Sequence, residues 1–339
     1  MPALQPTHAI DIVYLWVNGN DPQWRTKRSQ AAAAQGIHAS GALARYGDVE
    51  GRYRDNEELR FSLRALERYF PNHGHIYILT DAQTPHWLRA HAGITVIDHA
   101  QVIPKSALPL FDSGNIESYI HRIEGLSERY FYMNDDVFFN APVLAHDWFW
   151  QAGSVQGIYT AWSNDPSVSD EAPHADATAL ENASRLSKKW LDQSLQATAA
   201  SAPLKDATYQ HTFRTFAHAP RPMLKSILQH LESAAPELFT AMRATVFRSW
   251  RTPTLVSDFV LRWALAHQLA KIKHYPHAYV ATGSPQAANQ LAQLRGGNPQ
   301  FFCINDTTDN AATDDPRLAQ VRRTLEALFP AASTFEKLE

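Results

Sequence analysis

Between residues 9 and 17 the chain runs almost without interruption through apolar side chains, several of them β-branched or aromatic (Ile10, Ile12, Val13, Tyr14, Trp16). It then stops at Asn18, Gly19, Asn20, Asp21 and Pro22. A run that short and that apolar predicts a buried strand, and the residues that end it predict a turn. Asp55, Asn56, Glu57 and Glu58 precede Leu59, Leu63, Leu66 and Phe70, which fall on one face of a helix. An acidic residue three places after Asp55 marks its N-terminus, and Pro71 stops it. Residues 75–80 and 94–98 read as further short strands, with a brief helix over 85–92 between them. A helix over 115–122 and a strand over 129–133 follow, and that strand runs straight into Asn134, Asp135 and Asp136.

Strands and helices that alternate in this way predict an α/β fold, a mainly parallel sheet flanked by helices. Ligands of such sheets gather at the carboxyl ends of the strands. Residues 1–150 make this α/β core. Residues 151–210, rich in Ala, Ser, Asp and Thr with weak periodicity, read as an insertion, helical over 185–195. Residues 211–339 read as a helical half, with helices over 222–232, 236–242 and 257–271, a strand over 301–304 and a closing helix over 316–328.

The balance of 31 basic and 34 acidic residues gives a net charge of -3, which argues against broad attachment to nucleic acid or to an anionic bilayer. Any bound anion must therefore meet a local site. A single cysteine, Cys303, excludes an internal disulfide framework and a cysteine-based zinc cluster, and suits a reducing compartment. The first residues lack the basic start and apolar run of a secretory signal, and no apolar stretch reaches the length of about 18 residues that a spanning helix needs. Cytoplasm is the expected compartment, with membrane contact at most peripheral.

Two carboxylates, Asp135 and Asp136, at the mouth of a buried strand can hold a hard divalent cation whose open positions take phosphate oxygens; the same residues also make an ordinary turn. Glu117 and His121 are four apart, so on one helix they share a face with Arg122 beside them and can orient one another, or simply form a surface pair. Arg54, Asp55 and Asn56 put a guanidinium and free backbone donors at a helix start, a combination suited to phosphate as well as to capping. His218, held by Pro220, is a candidate general base, and Arg248, Arg251 and Asp258 bracket a loop leading into a helix. Asn305 and Asp306 repeat the design of a strand ending in amide and carboxylate groups. Cys303 within that apolar run reads as core.

Taken in order, four regions resemble the Stealth family of sugar-1-phosphate transferases. They are 10–24; 52–88, from Arg52, Tyr53 and Arg54 onward; 111–137, with Glu117 and the Asn134, Asp135, Asp136 turn; and His218 to Pro220 with Arg248, Ser257 and Asp258, completed by 303–306. The family includes bacterial capsule polymerases and the animal N-acetylglucosamine-1-phosphotransferase. The resemblance implies a Rossmann-like, GT-A-like core that binds a UDP-sugar donor, and a divalent metal, Mg2+ or Mn2+, held by Asp136 with Asp135 or Asn305. It carries functional weight onto Glu117, Asp136, His218 and one of Arg248 and Arg251, and it places Asn18, Gly19 and Asp21 around the nucleoside.

On this expectation a glycan hydroxyl gives its proton to His218, or to Glu117 paired with His121. It then attacks the β-phosphorus and expels UMP, while Arg54 and one of the two later arginines stabilise the phosphoryl oxygens. By analogy the family also implies capsule or exopolysaccharide synthesis and a peripheral association with that machinery. The rival readings are a metal-dependent glycosyltransferase that releases UDP and a carbohydrate-binding protein without turnover.

Overall fold

The computed structural model describes residues 9–37, 41–197, 209–312 and 314–337. Its strands are β1 (Ile10–Leu15), β2 (Ile76–Thr80), β3 (Ile94–Asp98), β4 (Arg129–Asn134), β5 (Val137–Phe139), β6 (Phe149–Ala152), β7 (Val155–Thr160), β8 (Arg221–Leu224), β9 (Ala270–Ile272), β10 (His277–Ala281) and β11 (Phe301–Asn305). Its α-helices are α1 (Pro22–Gln35), α2 (Glu58–Tyr69), α3 (His99–Val102), α4 (Ser113–Glu117), α5 (Ala145–Trp148), α6 (Ala179–Ala197), α7 (Lys225–Ala234), α8 (Pro236–Arg243), α9 (Val260–Ala266), α10 (Ala287–Gly296) and α11 (Pro316–Leu328).

The main sheet has the order β3-β2-β1-β4-β8, parallel except for β8 at its edge. Central parallel strands are covered on both faces, which is why β1 reads as one apolar run and why Ile10, Ile12, Val13 and Tyr14 are all buried. Because β1, β2 and β4 run in one direction, their carboxyl ends share an edge. The register that sets Leu15 opposite Asn134 brings Trp16 beside the acidic pair.

At that edge the chain changes sheets. β4 ends at Asn134, Asp135 and Asp136 make the turn, and β5 continues into a second sheet of order β10-β11-β5. Antiparallel pairing of Cys303 with Val137, and the 3.0 Å bond from the Ile304 amide to the Asp136 carbonyl, deliver Asn305 next to Asp136. Two strand ends from opposite parts of the chain thus meet at the acidic turn. One apolar core runs from Ile10 through Trp148 and Phe259 to Phe335.

Several sequence expectations are corrected here. Residues 85–92 form no helix; Leu88 makes an isolated bridge to Glu336 instead. The helix expected over 115–122 breaks at Ser118, leaving α4 and a separate 3-10 turn over Ile120–Arg122. Residues 222–224, expected to begin a helix, belong to edge strand β8, a position in which Pro222 is tolerated. The helix expected from Ser257 begins as a π-turn over Leu255–Phe259, continues as α9 and gives way to β9. Within 151–210 the chain first finishes the hairpin of β6 and β7, then forms α6, which contains the predicted helix over 185–195; residues 198–208 lie outside the described ones. Among the described residues no helix is long and apolar enough to cross a membrane.

Candidate active site

A cleft opens at the shared strand edge. It is lined by Trp16 and Val17 after β1, Arg52 and Arg54 before α2, Glu58 at the start of α2, Asn134, Asp135 and Asp136 after β4, His218, Arg248, and Asn305 and Asp306 after β11. Carboxylates and guanidinium groups both line it.

Asp135 and Asp136 sit side by side in the turn between β4 and β5. Burial and the neighbouring charges of Asp136, Glu58 and Asp55 push the Asp135 carboxyl well above its ordinary range. Burial raises Asp136 to about 6, an effect offset in part by the Cys303 thiol and by Arg52 and Arg221. Its Oδ2 accepts from Cys303 Sγ at 3.4 Å, and its Oδ1 is buried with no partner among the described residues. A buried carboxylate oxygen left bare beside a second carboxylate and the Asn305 amide is a donor set suited to a hard cation. Among the described residues no three His, Cys, Asp or Glu side chains gather closely enough to enclose a metal, so further ligands would have to come from a bound phosphate or water.

Arg248 also reaches into the cleft, donating to Ser113 Oγ and lying 3.6 Å from Asp112 Oδ1. Burial and the charge of Arg52 lower its pKa. Arg52 has a buried Nε without a partner among the described residues. Arg54 lines the same cleft but is already tied to Asp306 and, at 2.9 Å, to Thr308. His218 closes the end. Its ring lies 5.0 Å from that of Tyr279, its Nδ1 is buried without a partner among the described residues, and burial followed by the charges of Arg221 and Arg248 lowers it to about 3.

The other sequence candidates lie elsewhere. Glu117 does not line the cleft; it is buried behind it, accepting from Tyr132 Oη at 2.9 Å and Ser257 Oγ at 3.1 Å, with Arg221 and Arg248 as the nearest charges. His121 does not pair with it. The break at Ser118 turns the imidazole away to Glu232, which also receives Arg122 and Arg243. Arg251 is exposed, with its guanidinium over the Trp250 ring at 4.8 Å, so of the two later arginines only Arg248 enters the cleft.

Asp21 is the N-cap of α1, accepting from the Gln23 and Trp24 amides at 2.8 and 3.1 Å. Asn18 is held by Gln83, through bonds of 2.9 and 3.0 Å, and caps its own turn. Gly19 is required by close approach, since a Cβ there would stand 2.3 Å from the Tyr53 carbonyl oxygen. Asp55 and Asn56 border an adjoining depression, where Asp55 accepts from the Glu57 amide at 2.9 Å and Asn56 binds Glu58.

Arg52, Glu58 and Arg221 were not among the sequence candidates. Arg52 and Arg54 are two apart on either side of Tyr53, a repeat that marks both as a pair. Glu58 looked like a plain helix-start acid, yet burial and Asp55 push it to about 8. Arg221 is buried on an edge strand and donates to Ser257 at 3.2 Å, an arrangement that no local pattern signals.

Residues 8–36, 52–156 and 292–339 match the models for Stealth protein conserved regions 1, 2 and 4 respectively. The chain belongs to the Stealth family. It is 31% identical over 339 residues to the exopolysaccharide phosphotransferase SCO2592 of Streptomyces coelicolor, covering 98% of this chain and 33% of that one. It is 32% identical over 345 residues to the exopolysaccharide phosphotransferase CpsY of Mycobacterium leprae, covering 98% and 58%. The chain therefore spans about a third to three fifths of these relatives' length. The crystal structure of the galactosyltransferase LgtC with donor and acceptor sugar analogues aligns over 96% of this chain and 97% of its own at 9% identity and a TM-score of 0.41.

The Stealth matches cover the strand ends that bring carboxylates to the cleft, Asp135 and Asp136 in one segment and Asn305 and Asp306 in another. Arg52, Arg54 and Glu58 also fall inside them, whereas His218 and Arg248 lie in the stretch between.

Proposed function

We propose that this Stealth protein moves a sugar-1-phosphate from a UDP-sugar to a hydroxyl of a glycan, releasing UMP and leaving a phosphodiester, in capsule or exopolysaccharide synthesis. The observation that carries the reading is one cleft lined by adjacent carboxylates and by Arg52, Arg54 and Arg248. That pairing suits a diphosphate held between a cation and guanidinium groups. The relatives named as exopolysaccharide phosphotransferases support the same class.

Asp135, Asp136 and Asn305 would hold the divalent ion, magnesium or manganese. Bound there, such an ion neutralises negative charge on phosphate oxygens. The cleft's volume of about 160 Å³ is below the roughly 300–1,000 Å³ of whole-ligand pockets. It suits the diphosphate end, with the nucleoside toward Trp16 and Trp24.

Arg248 and Arg52 face the phosphoryl oxygens and stabilise charge that builds during transfer. Arg54, already bonded to Asp306, seats the end of β11 and keeps Asn305 in place. The acceptor oxygen attacks the β-phosphorus, the bond to the α-phosphate oxygen breaks, UMP departs, and the hydroxyl proton passes to His218. In the free protein that imidazole is neutral but weakly basic. Two of the groups that depress it are Arg221 and Arg248, so a diphosphate against Arg248 offsets part of their charge and raises its basicity when the donor is bound. Glu117, behind the wall, balances Arg221 and Arg248 and is a positioning residue.

Purified protein with UDP-N-acetylglucosamine or UDP-glucose, an oligosaccharide acceptor and magnesium is expected to release UMP. Stoichiometric UDP would refute the bond assignment and establish a glycosyl transfer instead.

A further inference from the structure

His218 lines two cavities. On its far side lies a groove of about 680 Å³, walled by the segment 163–165, by residues 274–279 and by α10 with the loop that follows it. We infer that this groove is the acceptor subsite and takes a neutral saccharide chain, with one sugar ring stacked on Tyr279 and its attacking hydroxyl presented past His218 to the cleft. The inference rests on the transferase reading for the identity of the chain as acceptor, though not for its chemistry.

The chemistry comes from the lining. Among the described residues that line it there is no lysine or arginine, and Asp165 stands on its wall, so it repels the anions that the neighbouring cleft attracts. Its polar groups are mostly amides and imidazoles, among them Asn164, Gln290 and Gln293, which both donate to and accept from hydroxyls. The Gln290 Oε1 acceptor is buried and has no partner among the described residues, and the same holds for His218 Nδ1. Buried acceptors left bare are satisfied by incoming donors, and a polyol supplies them in series.

Tyr279 is 37% exposed, among the few large apolar side chains left open, and its ring is 5.0 Å from the His218 ring. A partly open aromatic face beside hydrogen-bonding amides gives a sugar ring an apolar surface and its hydroxyls polar partners. The volume lies within the roughly 300–1,000 Å³ range of ligand pockets, enough for more than one sugar unit, whereas the cleft is much narrower. A single residue shared by both cavities places the acceptor hydroxyl where the donor phosphorus would lie.

The test uses the full chain and two readouts. Binding of neutral hexasaccharides (maltohexaose, cellohexaose and chitohexaose) is measured by saturation-transfer NMR and calorimetry, without donor, for the parent protein, Tyr279→Ala and Asn164→Ala. UDP binding with magnesium is measured in parallel. Both side chains are exposed, so the variants are expected to melt like the parent, and Tyr279→Phe serves as a second, milder probe of stacking.

The expected result is that at least one hexasaccharide binds the parent, that Tyr279→Ala weakens it by about tenfold or more, that Tyr279→Phe largely retains it, and that UDP affinity is unchanged. Equal hexasaccharide affinity in parent and Tyr279→Ala, or no binding to any of the three by the parent, overturns the groove assignment. Loss of binding in Tyr279→Ala from a protein that never releases UMP from a UDP-sugar leaves the groove standing and removes the transferase reading.

Discussion

Asp258 and Arg262 form an ion pair with side chains 1% and 0% exposed, and replacing Asp258 by Asn separates an architectural role from a chemical one. Asp258 accepts from Arg262 Nε and Nη2, both at 2.9 Å, and from Ser187 Oγ at 2.6 Å. Arg262 also donates to the carbonyls of Thr212 and Arg214. The pair thus ties α6, the segment after residue 209 and the π-turn into one block, and Ser257 in that turn holds Glu117.

Asparagine keeps the volume but removes the charge, leaving a guanidinium buried without its counterion. Breaking one partner of such a pair costs about 3–5 kcal/mol. At roughly 2.1 cal/mol/K per residue, unfolding 339 residues as one unit carries an entropy near 0.7 kcal/mol/K. The melting temperature should then fall by ~4–7 °C. Thermal unfolding followed by circular dichroism measures this, and UMP release per folded molecule at a temperature below both transitions is expected to stay within a few-fold of the parent. A variant that melts like the parent while losing turnover would refute the architectural assignment and place Asp258 in the chemistry.

Asp136→Asn is expected to abolish UMP release with little change in melting, and to remove the stabilisation that added magnesium gives the parent in thermal shift. Arg248→Met should lower kcat by ~10²–10³-fold. Arg251→Ala, at an exposed guanidinium over Trp250, should change stability by no more than about 0.5 kcal/mol and leave kcat within twofold, as steady-state assays of both would show. Glu58 supplies a pH signature: its folded value of about 8 lies above the ordinary 4.5, so the folded state holds the proton longer. Its contribution to stability is full below about pH 4.5 and is lost as the pH rises through about 8. Denaturant titrations of metal-free protein should show Glu58→Gln gaining on the parent between pH 5 and pH 8, and a constant difference across that range would count against the raised value.

The parts of this molecule that could be read from the chain are those where one physical demand dominates a short stretch. β1 is buried on both faces, so its residues had to be apolar in succession; the α2 face and the strand leading to Asp135 and Asp136 follow the same logic. What stayed hidden depends on partners distant in sequence. β5, β8 and β9 are three or four residues long and exist because a neighbouring strand accepts them. Glu117 and His121 looked like a helical pair because their spacing is right, yet the broken helix at Ser118 and the three basic groups around Glu232 send them to different places.

Arg248 and Arg251 could not be told apart by spacing. Packing separates them, since the Arg248 carbonyl accepts the Ala44 amide at 3.2 Å and its guanidinium is drawn in by Ser113 and Asp112, while nothing draws Arg251 inward. The same reasoning explains why the cleft is assembled from strand ends. A parallel sheet aligns the ends of β1 and β4 by register, and the antiparallel return of β11 on β5 adds Asn305 without any sequence proximity. Arg248 is buried there beside Asp112 and Glu117, whereas Asp135 is crowded by Asp136, Glu58 and Asp55. Removing one carboxylate of that crowded group should therefore cost turnover rather than stability, in keeping with the outcome expected for Asp136→Asn.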